Sequence, residues 1–290
     1  MTTTAHLAEA PAAEAFPLDR YLARIGYDGP REPTLAVLRA LHRLQPATIV
    51  YENLDPLVGN PVSVAPADLI AKLLAGGRGG YCFELNGLFA LALKALGFNF
   101  VGLAARVLWG QPEDLVTARS HQVLLIDLPE GQYIADVGFG SATPTAPLRL
   151  VADEVQETPH GPMRLIRRGD DYYLQATLRA EEMNTDWRTL YRFDLQPQHA
   201  VDYVVGNHYV ATFASSIFRL NLMAARHLPD CRLTFGDNKI TRYALDGTKT
   251  ETILESAAAI RAALRDHFAL IVSDPVVFDR RVIELGFVGR

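Results

Sequence analysis

The apolar residues of this chain change their spacing at Gly97. Before it they recur every three or four positions: Leu35, Leu38, Leu41 and Leu44 after a candidate N-cap at Thr34, and Leu85, Leu88, Phe89, Leu91, Ala92 and Leu96 just beyond Cys82. That spacing lays an apolar stripe along a helix. The same reading predicts short helices over Pro17–Ile25, closed by Gly26, and over Asp68–Leu74, followed by Gly76-Gly77, with Pro46 stopping the second helix. From Phe98 the apolar residues fall into runs rich in Val, Ile, Leu and aromatics: Phe98–Trp109, His121–Leu128 and Tyr133–Val137. Met163–Arg168 and Asp171–Thr177 flank a turn at Gly169-Asp170, and Trp187–Asp194 adds another strand. Helices followed by a run of strands favour an α+β chain with an antiparallel sheet or small barrel. Beyond Gln196-Pro197 helical spacing returns around Ala200–Val205 and Phe218–Ala225, strands follow at Arg232–Phe235 and Lys239–Leu245, and Ile253–Phe268 reads as an amphipathic helix. Three parts are therefore expected: helical residues 1–97, β residues 98–201 and mixed α/β residues 202–290.

At 290 residues the chain can bury a large core without covalent staples. Its two cysteines, Cys82 and Cys231, supply neither a disulfide framework nor a four-ligand zinc site, so no metal is expected. A net charge of -5 and no block of Lys/Arg argue against nonspecific nucleic-acid binding and for small-molecule partners. Residues 1–15 lack the basic and apolar regions of a signal peptide, and no run of 18 apolar residues occurs. A disordered tail, no membrane segment and a reduced, cytoplasmic setting are the expectations.

The chemistry concentrates in Arg78-Gly79-Gly80-Tyr81-Cys82-Phe83-Glu84-Leu85-Asn86. Two glycines break one helical pattern and the next begins at the cysteine, so Cys82 occupies the first turn of a helix. Unpaired N–H groups and the positive end of the helix dipole there favour a thiolate, as a nucleophile requires. The competing reading is a small buried apolar side chain. A nucleophilic thiolate needs a base and an orienting group. Of the eight histidines, His6 lies in the tail, and His42, His227 and His267 sit beside charged residues in or near helices, which suggests solvent-facing roles. His160, His199 and His208 stand in polar or loop segments and remain open. His121 opens an apolar strand, and Asp136 stands between apolar residues where a carboxylate requires a partner. The strands form an antiparallel pair across Pro129-Glu130-Gly131-Gln132, which brings His121 and Asp136 to one end. A turn at Glu130-Gly131 would set Asp136 opposite Leu125, roughly 13 Å along the strand from His121. A turn centred on Leu128-Pro129 would pair the two directly. Either register leaves both side chains on one sheet face, and the first needs a bulge or strong slant to join them. Glu52, in Tyr51-Glu52-Asn53-Leu54, and Arg78 form a candidate charge pair that would hold the Cys82 loop; two separately solvated residues are the alternative.

Together these segments, with Asp136-Val137-Gly138-Phe139-Gly140, resemble the arylamine N-acetyltransferase family over most of the chain. The resemblance implies a helical bundle, a central β-barrel and a C-terminal α/β lid around a core like that of cysteine proteases and transglutaminases. It implies a Cys82-His121-Asp136 triad, acetyl-coenzyme A as donor, and ping-pong transfer to the nitrogen of an arylamine or arylhydrazine by a monomer or homodimer. Tyr51, Phe139 and Phe218 would wall the acceptor pocket, and Thr117, Gly140 and Ser216 would contact the coenzyme. Two departures stand out: Tyr51 where the family usually has Phe, and Phe213-Ala214 where it commonly shows His-Pro. A related amide synthase, a cysteine hydrolase and an inactive binding protein are the rival readings.

Overall fold

The computed structural model describes residues 15–177 and 187–289, so the segment expected to be a tail, with His6, lies almost wholly outside the described residues. Helices α1 (Leu18–Ile25) and α2 (Leu35–Thr48) open the chain. Thr34 caps α2 by accepting from the Val37 N–H, but Pro46 does not stop the helix as the sequence reading expected. Proline removes one N–H donor while its fixed φ remains helical. The helix runs two residues further, where the Thr48 hydroxyl donates to the Leu44 and Gln45 carbonyls.

Strand β1 (Tyr51–Glu52), α3 (Leu54–Val58) and α4 (Pro66–Leu69) follow, and α4 continues into a π-helical turn over Ile70–Ala75. Then comes α5 (Cys82–Ala95), with Cys82 its first residue; Tyr81 is the N-cap, and its N–H donates to the Glu84 carboxylate at 3.1 Å.

Strands β2 (Asn99–Val107), β3 (Arg119–Leu128), β4 (Gly131–Ala135), β5 (Leu148–Arg149), β6 (Val155–Thr158), β7 (Gly161–Arg168), β8 (Asp171–Ala176) and β9 (Arg188–Phe193) form one antiparallel sheet ordered β5-β4-β3-β2-β9-β8-β7-β6. It curls until its edges meet: the Gln156 side chain of β6 accepts from the Arg149 N–H and donates to the Arg149 carbonyl of β5. The expected barrel is thus nearly closed, around a core that includes Leu103, Val123, Leu165 and Tyr191.

Helices α6 (Ala200–Thr212) and α7 (Ile217–Leu220) lead to β10 (Met223–His227), β11 (Cys231–Gly236), β12 (Lys239–Ala244) and β13 (Lys249–Ile253), backed by α8 (Ala257–Phe268) and α9 (Pro275–Glu284). Two helix expectations are corrected here. The chain becomes extended at Asn221, and Met223–His227 pairs with β11, so sheet pairing overrides the helical spacing read over Phe218–Ala225. Lys249–Ile253 pairs with β12, and α8 begins only after Ser256 accepts from the Ala259 N–H. β1, from the helical first part, is the edge strand of this C-terminal sheet, with Tyr51 opposite Ala225. The chain is α+β: a helical bundle, a barrel and an α/β portion meet around Tyr81, Cys82, Phe83, Val210 and Phe218.

Candidate functional site

The N-terminus of α5 lies against the start of β3 and the residues just past the end of β4. Cys82 is buried, and its Sγ is 3.6 Å from the Ser120 carbonyl. His121 faces Ala105 on β2 while Arg119 faces Arg106, so Ser120 is the extra residue of a bulge that re-aims the neighbouring side chain. Between β3 and β4, Asp127 faces Gln132 and Leu124 faces Ala135. The turn is Pro129-Glu130, intermediate between the two registers considered from sequence. Parity holds, because extending this register sets Asp136 opposite Val123, on the same face as His121. The remaining distance closes because β4 ends at Ala135 and the chain turns toward the bulge: His121 Nε2 and Asp136 Oδ2 are 2.7 Å apart. Asp136 has no exposed surface and His121 is 2% exposed, so their interaction is screened little by water.

Two donors besides His121 fix the carboxylate, and a third bond anchors the main chain beside it. Asn86 Nδ2 donates to Asp136 Oδ1 at 2.9 Å, the Gly138 N–H donates to the same oxygen at 2.9 Å, and Asn86 Oδ1 accepts from the Val137 N–H. Asn86 is four residues beyond Cys82, on the same helix face, so one helix presents the thiol and the amide that holds the acid. Gly138 packs so tightly on α5 that a Cβ there would lie 3.0 Å from the Cys82 Cα. Burial disfavours a charged His121 ring, but Asp136 and the Cys82 thiol, both hydrogen-bonded to it, raise its pKa from 6.5 to about 10. Burial likewise opposes a charged Asp136, and His121, Asn86 and Gly138 nonetheless hold its pKa below the usual value. Nε2 faces the carboxylate, so Nδ1 is the ring nitrogen left for the thiol.

Sequence reasoning missed several neighbours. His42, expected to face solvent, is wholly buried on α2, and its Nε2 accepts the Asp136 main-chain N–H at 3.0 Å. Burial lowers its pKa to about 4 against the pull of Asp136. Tyr191 of β9 lies 5.0 Å from the His121 ring and 5.3 Å from Phe139. The signal for Asn86 was its i+4 spacing from Cys82; His42 and Tyr191 had none, since their contacts are made only by tertiary packing. His227 is buried too, edge-on to His160, whose Nε2 donates to the Leu228 carbonyl, and neither joins the thiol. Nor do His199, which caps α6, and the exposed His208.

Cys82 and His121 open into a cleft of about 600 Å³ between the barrel and the C-terminal sheet. Tyr51, Phe139, Gly140, Ser216 and Phe218 also line it. Phe139 meets the His121 ring edge-on at 5.2 Å, and Phe218 meets Tyr81 in the same way at 5.0 Å. Gly140, at φ 86°, would drive a Cβ to 3.1 Å from the Tyr51 ring. Ser216 caps α7 by accepting from the Phe218 N–H. Thr117 is not among the lining residues, although Ala118 is; its hydroxyl donates to the Val107 carbonyl. On the C-terminal sheet the cleft reaches Arg232, Lys239 and Lys249, with Glu251 also in the lining and within 3.1 Å of both lysines.

Below the thiol loop, Arg78 bonds Glu52 through Nε at 3.1 Å and Nη2 at 2.8 Å, both on Oε1, while Oε2 accepts from the Leu54 N–H. Lys72 extends the network, with its Nζ 2.7 Å from both Asp55 and Glu84. Burial raises the Glu84 pKa to about 7, a rise that Lys72 limits. Among the described residues no group of three or more His, Cys, Asp or Glu side chains is placed to hold a metal ion, and no helix is long and apolar enough to cross a membrane.

A family model described as N-acetyltransferase matches residues 34–277. The arylamine N-acetyltransferase of Escherichia coli K12 is 42% identical over 258 residues, spanning 89% of this chain and 90% of that protein. The Salmonella typhimurium protein named arylamine N-acetyltransferase / N-hydroxyarylamine O-acetyltransferase is 40% identical over the same shares. Among solved structures, Mycobacterium marinum arylamine N-acetyltransferase in complex with CoA superposes with a TM-score of 0.87 at 39% identity, covering 92% of this chain and 99% of that one. With helical bundle, barrel and α/β portion in common and near 40% identity along nearly the whole length, the chain belongs to the arylamine N-acetyltransferase family.

Proposed function

We propose that the protein transfers an acetyl group from acetyl-coenzyme A to the nitrogen of arylamines or arylhydrazines through an acetyl-Cys82 intermediate. The observation that carries this reading is the buried Cys82, His121 and Asp136 constellation at the base of the cleft. His121 Nδ1 accepts the thiol proton, and Asp136 stabilises the resulting imidazolium. The thiolate attacks the thioester carbonyl while main-chain N–H groups in the first turn of α5 stabilise the oxyanion. The bond to the coenzyme sulfur breaks, and His121 returns the proton to that sulfur. The acceptor nitrogen then attacks acetyl-Cys82, His121 removes its proton, and the bond to Cys82 breaks to restore the thiol.

Tyr51, Phe139 and Phe218 form the acceptor walls in this scheme. Gly140 and Ser216 contact the coenzyme arm, with Thr117 next in the chain to the lining residue Ala118, and Arg232, Lys239 and Lys249, which outnumber Glu251 beside them, suit its phosphates. Glu52 and Arg78 brace the Cys82 loop. The same reading divides the chain at residues 1–97, 98–201 and 202–290 and places it in the cytoplasm as a monomer or homodimer. Thiol release from acetyl-coenzyme A, followed with and without a panel of arylamines and arylhydrazines, tests the activity. One equivalent per Cys82 without acceptor and continuous release with it is the expected result. Continuous release without acceptor would instead mark a hydrolase.

A further inference from the structure

We propose that His42 is a positioning residue for the reaction: its imidazole accepts the main-chain N–H of Asp136 and thereby fixes where that carboxylate stands against His121. The inference rests on the reading of Asp136 as the acid that orients His121.

Asp136 lies one residue beyond the end of β4, where the ladder to β3 has stopped. Its N–H is buried and needs an acceptor from outside the sheet. His42 Nε2 supplies one at 3.0 Å from inside α2, a helix far away in sequence. An acceptor nitrogen carries no proton, so the proton of the neutral ring sits on Nδ1. That nitrogen is buried without a hydrogen-bond partner. Burying the Nδ1–H unpaired is unfavourable, a cost that an apolar side chain packed against Phe89 would avoid only by leaving the Asp136 N–H without its acceptor. The gain that explains it is the bond to Asp136. Burial also keeps the ring neutral, and therefore an acceptor, through the neutral pH range.

Gln45, three residues on, reinforces the arrangement. It accepts from the Tyr21 hydroxyl at 2.8 Å and donates to the Leu85 carbonyl of the Cys82 helix at 3.0 Å. One buried face of α2 thus braces both halves of the site, α5 through Gln45 and the acid segment through His42.

The test uses the full chain and follows iodoacetamide alkylation of Cys82 against pH, with thermal unfolding as a check on folding. His42→Leu and His42→Phe remove the acceptor, and the second keeps ring volume against Phe89, so one folded variant suffices. His42→Gln retains a side-chain carbonyl that can accept. We expect the apolar variants to alkylate at least tenfold more slowly at neutral pH and to converge on the wild type in alkali, with His42→Gln within threefold of wild type. In an Asp136→Asn background the apolar change should add nothing. Nitrogen-15 NMR of the wild-type ring should find Nε2 unprotonated and Nδ1 protonated. A folded apolar variant with the wild-type profile, beside a slowed Asp136→Asn, overturns the His42 inference alone. So does a His42→Gln as slow as the apolar variants, or the opposite tautomer. An unaltered profile in Asp136→Asn overturns the role of Asp136 and this inference with it.

Discussion

Asp136→Asn is the sharpest perturbation of the site, because the new side chain is nearly isosteric and changes mainly what it can accept. Asp136 Oδ1 receives the Asn86 and Gly138 donors and Oδ2 meets His121 Nε2 at 2.7 Å. An asparagine keeps the first two bonds with its carbonyl oxygen and must turn its amide NH2 to His121. Nε2 then accepts, the ring proton moves to Nδ1, and the lone pair that takes the thiol proton is lost. The rise of the His121 pKa from 6.5 to about 10 corresponds to about 5 kcal/mol in favour of the charged ring, at about 1.36 kcal/mol per pH unit. Asp136 supplies the larger part of it and Cys82 the rest. Without that pairing the imidazolium no longer holds the Cys82 thiolate at neutral pH, and alkylation should wait for the thiol to ionise unaided as pH rises. The expected alkylation rate at pH ~6.5 is at least about tenfold below wild type, with convergence in alkali. Acetyl transfer should fall by about 10³–10⁴-fold, the scale of a wrong tautomer in a hydrolase triad. Stability carries a matching sign. The raised His121 pKa contributes stability that is fully present below 6.5 and is lost as pH rises through about 10. The depressed Asp136 pKa contributes above the usual carboxylate range and is lost in acid. The urea-measured destabilisation should therefore be largest near pH ~6, about 3–5 kcal/mol, and shrink toward pH ~10. An alkylation rate at pH 6.5 within threefold of wild type in a folded variant would refute the reasoning.

Further predictions address the surrounding residues. Cys82→Ser should abolish formation of the acetyl-enzyme, read by mass spectrometry, while circular dichroism is retained; Cys231→Ser should leave turnover unchanged, since Cys231 is buried on β11 outside the cleft lining. Tyr51→Phe removes one hydroxyl from the cleft and should alter kcat/KM by about two- to twelve-fold for acceptors that hydrogen-bond it, the effect of about 0.5–1.5 kcal/mol. The acetylation half-reaction should keep its rate, and a uniform change across para-substituted anilines would move Tyr51 out of the acceptor wall. Lys72→Met strips the cation from Glu84, which is 2% exposed, and should lower stability by about 2–3 kcal/mol in urea titration, below the full buried-pair value because Lys72 itself is 21% exposed. Glu84→Gln in that background should recover part of the loss; no recovery would assign the effect to lost lysine packing.

What the sequence determined by itself is local. Spacing of three and four placed α2 and α5, runs rich in Val, Ile, Leu and aromatics placed β2, β3 and β4, and two glycines ahead of an apolar stripe put Cys82 at a helix start. Parity alone set His121 and Asp136 on one sheet face, because strand side chains repeat every two residues whatever the turn. Tertiary structure decided the rest, because those choices are settled by contacts between residues far apart in the chain. The Pro129-Glu130 turn selected the register, and the Ser120 bulge brought ring and carboxylate within 2.7 Å. Pairing with β11 turned Met223–His227 from a helical pattern into a strand, and β10 recruited Tyr51-Glu52 as an edge. His42 looked like a solvent-facing helical histidine beside Arg43. Only the packing of α2 against the end of β4 made it the acceptor of a buried N–H, since a hydrogen bond spanning 94 residues leaves no trace in local periodicity.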